Sequence, residues 1–178
     1  LLASFPVYMT TWHVPHAQMT GATPLALMKS GEVAQLPTIF KMFIGTVGGC
    51  IGETSALLLI FGALFLLYKK IITWYIPFSF LLTLVVFSKF FGRVPLFELC
   101  AGGAILGAFF MATDMVTTPQ MPKGEIVFGI GAGLLTAIIR KWGGYPEGVC
   151  YSILLMNAAT PIIDRYTRSV PFGRKKVF

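Results

Sequence analysis

The segment from His16 to Gly31, HAQMTGATPLALMKSG, holds the residues best placed to receive an anion. Its centre, Thr20-Gly21-Ala22-Thr23-Pro24, is small and flexible and passes abruptly into a helix-forming run. Thr23 suits an N-cap, Pro24 the first helical position and Gly31 the residue beyond the last turn. A helix of about seven residues is therefore expected to start at Thr23. Free N–H groups and a partial positive charge at such a start favour a phosphate. A plain capped surface helix would carry the same residues, so spacing alone does not separate the two. Glu53 and Asp114 sit in or beside apolar runs and are the acidic residues most open to a chemical role. His13 and His16 alone make no metal site. Cys50, Cys100 and Cys150 show no CxxC or Cys/His spacing, so they read as inert thiols rather than ligands of zinc or an iron–sulfur cluster. No catalytic or metal-ligating residue is assigned.

The elements that must position these groups are apolar. Of 178 residues, 56% are hydrophobic and 12% charged, with a mean hydropathy of +0.77. A soluble domain carries about 25% charged residues, so most of this surface faces something other than water, and a bilayer is the simplest candidate. Five apolar stretches, at 54–68, 73–91, 97–113, 125–139 and 146–163, approach the length of a membrane span. Lys69 and Lys70 close the first, and Trp74 and Tyr75 open the second as interfacial aromatics. Arg140, Lys141 and Trp142 close the fourth, and Asp164, Arg165 and Arg168 the fifth. Period-2 alternation is weak, which favours helices over a barrel. The net charge of +7 lacks aromatic interleaving, and nucleic acid is not expected as a partner.

Two regions resist a simple helical reading. Residues 43–54 carry four glycines and run into Glu53 and Thr54. Residues 110–119 carry an apolar helix into Thr113, Asp114 and Pro119. Such breaks at membrane depth are tolerated where they are buried in protein or line a cavity, and they mark binding sites in repeat-built folds. Glu53, in the first turn of a span, would also suit a plain capping role, as would Glu147 after Pro146. Asn157 lies inside an apolar span and needs a hydrogen-bond partner, most simply on a neighbouring helix. With five spans, one side holds Lys29, Lys41, Lys89, Arg93, Arg140 and Lys141. The other holds Lys69, Lys70, Lys123, Arg165, Arg168, Arg174, Lys175 and Lys176. This excess puts the carboxy-terminal tail in the cytoplasm and residues 6–40 outside.

Thr20-Gly21-Ala22-Thr23 resembles the S/T-G-A-T sequence to which an extracytoplasmic flavin transferase attaches FMN. An acidic residue often stands six before the modified threonine in that family, where this chain has Ala17. Further matches follow in order: Gly48-Gly49-Cys50-Ile51-Gly52-Glu53-Thr54-Ser55-Ala56, Ala112-Thr113-Asp114 with Thr117 to Pro119, Tyr145-Pro146-Glu147-Gly148-Val149, Leu154 to Asn157, and Pro161 to Asp164. Together they cover nearly the whole chain. They are similar to the D subunit of the Rnf ferredoxin:NAD⁺ oxidoreductase and to its relative, the B subunit of the sodium-pumping NADH:quinone reductase. The short tail after Asp164 looks more like the former.

The resemblance implies an all-α membrane protein: five transmembrane helices with re-entrant or broken segments, the second half of a two-repeat fold whose amino-terminal half is missing here. Residues 1–40 would be an extracytoplasmic flavin-attachment loop and short helix, 41–165 the bundle and 166–178 a basic cytoplasmic tail. Thr23 would hold FMN through a phosphoester, with Thr20, Gly21, Ala22 and Pro24 around it. Glu53, Thr54, Thr113 and Asp114 are further candidate contacts, and the carboxylates Glu53 and Asp114 could instead pair with Lys29 or Lys41 or bind a coupling cation. A second, non-covalent flavin such as riboflavin would sit with the missing half. The implied role is electron transfer coupled to Na⁺ or H⁺ translocation in a bacterial inner membrane. The implied partners are Rnf subunits A, B, C, E and G, the flavin transferase and the lipid bilayer. The competing readings are a secondary transporter or channel without redox function, and a purely structural membrane subunit. Neither has a use for T-G-A-T-P on a loop.

Overall fold

A computed structural model of the protein describes residues 13–14, 17–20, 24–30, 37–45, 55–144 and 147–167. The first described element is a two-stranded antiparallel pair, β1 (His13–Val14) and β2 (Ala17–Thr20), with His13 opposite Thr20 and Val14 opposite Ala17 across a bulge. Sequence patterning suggests only a loop here. Helices follow: α1 (Pro24–Ser30), α2 (Ile39–Ile44), α3 (Ala56–Tyr68), α4 (Tyr75–Phe90), α5 (Pro95–Cys100), a short α6 (Ala104–Leu106) running into a π-helical turn (Gly107–Met111), α7 (Pro122–Trp142) and α8 (Val149–Thr167).

Four of the five apolar stretches form helices near their expected bounds. Trp74 stands immediately before α4, and Lys69 and Lys70 follow α3 directly. Among the described residues one helix, α7 at 21 residues, is long and apolar enough to cross a membrane. The apolar helices α3 and α4 are shorter, at 13 and 16 residues. No continuous helix runs through 43–68: α2 ends at Ile44, Gly45 has a φ of 101°, and α3 starts at Ala56 with Ser55 as its N-cap.

The stretch 97–113 departs from expectation, because it is two half-helices instead of one. Ala101 is extended, and Gly102 and Gly103 have φ of 61° and 63°. A right-handed helix cannot continue through two consecutive residues of positive φ. The signal is present in the sequence as Gly102-Gly103, but the surrounding apolarity masks it.

The main core joins α4, α6, α7 and α8 through Ile76, Phe80, Leu84, Ala104, Ala108, Phe128, Ala132 and Ile153. The α4–α7 pair makes the most extensive contact. It is close because α7 presents Gly129 and Gly133 to α4. A Cβ on Gly129 would strike the Ser79 hydroxyl and come 2.8 Å from the Ile76 carbonyl, and one on Gly133 would lie 2.6 Å from the Phe80 carbonyl. This small-xxx-small spacing lets backbones approach where lipid supplies no hydrophobic drive for association. On the other flank of α7, Thr136 and Ser152 of α8 share a buried hydrogen bond of 2.7 Å. The buried Asn157 amide oxygen, expected to bond to a neighbouring helix, has no hydrogen-bond partner among the described residues. Large apolar side chains face outward on α3, α4 and α8, including Phe61, Phe78, Val86, Leu154 and Ile162.

Candidate functional site

The helix expected after Thr23 is present as α1, seven residues from Pro24 to Ser30. Thr23 itself, with Gly21 and Ala22, lies outside the described residues, and Thr20 closes β2. Pro24 and Leu25 are buried, so α1 is docked from its first turn. Leu25 packs with Met42 of α2 and with Phe97 and Ala101 around α5, and Met28 and Cys100 pack against this cluster. At its other end Lys29 donates a hydrogen bond to the Gly143 carbonyl just beyond α7. The segment following Thr23 is thereby fixed to the break after α5 and to the end of α7.

Beneath that contact lies a buried charge cluster. Arg140 is expected from the sequence to close its span at the interface, yet its side chain is 1% exposed and its guanidinium turns inward. Its five N–H donors find five acceptors: the Glu98 carboxylate at 2.7 Å and the carbonyls of Glu98 at 2.6 Å, Ala101 at 3.0 Å, Gly102 at 3.1 Å and Glu147 at 3.1 Å. The guanidinium fork supplies that number of donors, so none is left over. Three of the four carbonyls are those left unpaired where α5 ends and the chain turns, and a cation is favoured there. Glu98 is equally buried and divides its oxygens, Oε2 to Arg140 and Oε1 to Arg93 at 2.6 Å. Arg93 also donates to the Arg140 carbonyl. Glu147 precedes α8, outside the spanning segments. Burial pushes its carboxyl above the usual range, and neighbouring Arg140 partly opposes that.

Sequence reasoning did not single out Glu98. The signal that could have found it is a carboxylate within an apolar stretch, four residues before a Gly-Gly pair. An ionisable residue at membrane depth is a functional candidate by default, with its partner to be named.

Gly102 joins the cluster to α1. A Cβ there would collide with the Leu25 side chain and would lie 3.2 Å from Arg140 Nη2 and 3.3 Å from Glu147 Cγ. The helix that follows Thr23, the helix break and the buried ion pair are therefore one contiguous structure.

The other candidates lie apart from it. Glu53 and Thr54 are outside the described residues; the span begins after them, with Ser55 rather than Glu53 at its cap. Thr113 donates to the Phe109 carbonyl. Asp114 accepts from Thr117 Oγ1 at 3.0 Å and from Val116 N at 3.4 Å, within a turn of its own. That turn leads through Pro119 to Gly124, near the start of α7. Sixteen residues of helix separate Gly124 from Arg140, about 24 Å. Thr113 and Asp114 thus stand at the opposite end of the bundle from α1.

Comparison with known proteins agrees with the resemblance drawn from the motifs. The chain is 51% identical over 181 residues to the D subunit of the Na⁺-translocating ferredoxin:NAD⁺ oxidoreductase complex of Acetobacterium woodii, covering 99% of this chain and 57% of that protein. It is 48% identical over 195 residues to the D subunit of the proton-translocating ferredoxin:NAD⁺ oxidoreductase complex of Clostridium ljungdahlii, covering 99% and 59%. The D subunit of the ion-translocating oxidoreductase complex of Ectopseudomonas mendocina matches at 38% over 205 residues, covering 99% and 60%. The chain thus spans 57–60% of the length of these relatives. The NQR2, RnfD, RnfE family matches residues 1–173, and the chain belongs to that family.

Proposed function

We propose that this chain is the flavin-bearing portion of the membrane-embedded D subunit of an ion-translocating ferredoxin:NAD⁺ oxidoreductase, with FMN esterified to the Thr23 hydroxyl. One observation carries the reading: Thr20-Gly21-Ala22-Thr23 occurs within a family match over residues 1–173, immediately before a docked helix. The residues present fit the group. A threonine hydroxyl can be esterified by phosphate, and the chain directly after it is fixed at Leu25 and Lys29. Bound FMN would supply the redox chemistry, while the protein supplies placement and surroundings. Thr20, Gly21, Ala22 and Pro24 form the attachment segment. Thr113 and Asp114 engage their own turn at the far end, so they contribute little to this site.

The same reading places the chain in a bacterial inner membrane as part of a multi-pass protein. Its five apolar helical segments, counting the broken α5–α6 pair as one, would be embedded, with the outward apolar side chains of α3, α4 and α8 facing lipid or neighbouring subunits. Residues 1–40 would be extracytoplasmic, where the flavin transferase acts. Rnf subunits A, B, C, E and G would be its partners, and a second flavin such as riboflavin would lie outside this portion. Relatives named for Na⁺ and for proton translocation are 51% and 48% identical to the chain, so overall similarity does not choose the ion. The transporter reading would need an open break to receive its solute. At the 101–103 break the Ala101 and Gly102 carbonyls are already taken by Arg140 and the Gly103 carbonyl by the Gly107 amide.

Mass spectrometry of the peptide ending at Lys29, taken from the full-length protein made together with its transferase, tests the reading. FMN mass on that peptide, lost in Thr23→Ala and kept in Thr20→Ala, is expected. An unmodified wild-type peptide would move the transporter reading ahead. Cysteine substituted at position 23, in cells lacking the transferase, should react with an impermeant reagent from outside; protection there would reverse the assigned orientation.

A further inference from the structure

Within the proposed reading of Thr23, we infer that the buried Arg140–Glu98 pair and Gly102 position the flavin, acting through Leu25. The argument begins with the break. The chain at 101–103 could take many paths, since Gly102 and Gly103 both tolerate positive φ. Arg140 removes that freedom by holding the Glu98, Ala101 and Gly102 carbonyls together, and Glu98 fixes the guanidinium in turn. The result is a rigid seat whose floor is a glycine.

Leu25 fills that seat. It is 3% exposed, and its side chain occupies the space that a Cβ on Gly102 would need. Only Pro24 separates Leu25 from Thr23. Pro24 has a fixed φ, so a displacement of Leu25 is relayed toward Thr23 with one backbone torsion fewer to absorb it. The Lys29 bond to the Gly143 carbonyl holds the other end of α1, so the helix would pivot rather than slide. Arg140, Glu98 and Gly102 do not touch the reacting atoms in this scheme. They are positioning residues, and Leu25 is the part that transmits their geometry.

The decisive comparison is between Gly102→Ala and the double variant Gly102→Ala/Leu25→Ala, which removes the side chain that the new methyl group would strike. Leu25→Ala alone and Arg140→Gln complete the set. All are made in the full-length protein within its assembled complex. Three quantities are read: FMN mass on the peptide ending at Lys29, fluorescence anisotropy of this flavin after subtraction of the Thr23→Ala complex, and electron transfer from ferredoxin to NAD⁺. Gly102→Ala, Arg140→Gln and Leu25→Ala should keep the FMN mass while anisotropy falls clearly. Electron transfer should drop about tenfold, since a misplacement of about 1 Å can cost up to about 100-fold. The double variant should match Leu25→Ala alone rather than add the two losses, because the new methyl group then has no side chain to strike. A loaded and assembled Gly102→Ala with wild-type anisotropy would overturn the inference and leave the flavin assignment standing. So would a double variant whose losses equal the sum of those of Gly102→Ala and Leu25→Ala. If the two Gly102 variants fail to assemble, Leu25→Ala decides alone, because it leaves the ion pair intact: unchanged anisotropy refutes the coupling. Absence of FMN from the wild-type peptide refutes the flavin assignment, and this inference with it.

Discussion

Arg140→Met gives the most demanding test of the buried cluster, because the structure sets what is lost. Five hydrogen bonds disappear, one of them to a carboxylate that is itself 1% exposed. At about 1.5–3 kcal/mol for a bond to a charged group and about 0.5–1.5 for neutral ones, simple addition would overshoot. Two features reduce the sum. Arg93 still holds Glu98 Oε1, so the carboxylate keeps a counter-charge. The Gly102 region is also only half-buried, so some freed carbonyls can take water. The expected cost is therefore about 3–5 kcal/mol, the range for removing one partner of a buried pair. Unfolding of the full-length protein in mixed micelles, titrated with SDS and followed by circular dichroism, measures it. The double variant Glu98→Met/Arg140→Met should cost less than the sum of the two single variants, since it leaves no buried charge stranded. A double variant equal to or worse than that sum would refute the view that the two residues stabilise one another.

Two further outcomes follow from the packing and from Glu147. Gly129→Ala should destabilise by about 1–3 kcal/mol in the same assay, because its methyl group meets Ser79 and the Ile76 carbonyl, whereas Gly144→Ala, with open space around it, should be nearly neutral. The folded carboxyl of Glu147 is raised by burial, so it binds a proton more tightly when folded. Its contribution to stability is complete below the ordinary glutamate pKa and is lost as pH rises through the raised folded value. Glu147→Gln should flatten the decline in stability over that window in a series of unfolding titrations at different pH, and an unchanged slope would contradict the assignment.

Much of this was determined by local sequence. The charge deficit and apolar stretches place four helices near their observed bounds, because burial of apolar faces depends on composition and length. Pro24 opens α1 because proline suits a first turn. The T-G-A-T motif and its order among the other matches point to the family, since each such motif is a short stretch read directly along the chain. The tertiary structure decided the rest. Arg140 reads as one more interfacial cation until α5 and its break lie against the end of α7; only then do five acceptors surround it. Glu98 carries meaning only beside Arg140 and Arg93, which are 42 and five residues away. Gly102 and Leu25 stand 77 residues apart, and no periodicity links them. Glycines 129 and 133 showed that close helix packing was available, but which helix they would admit depended on the shape of α4. Contacts of this kind depend on distances across the folded chain, and the spacing of residues along the sequence does not fix them.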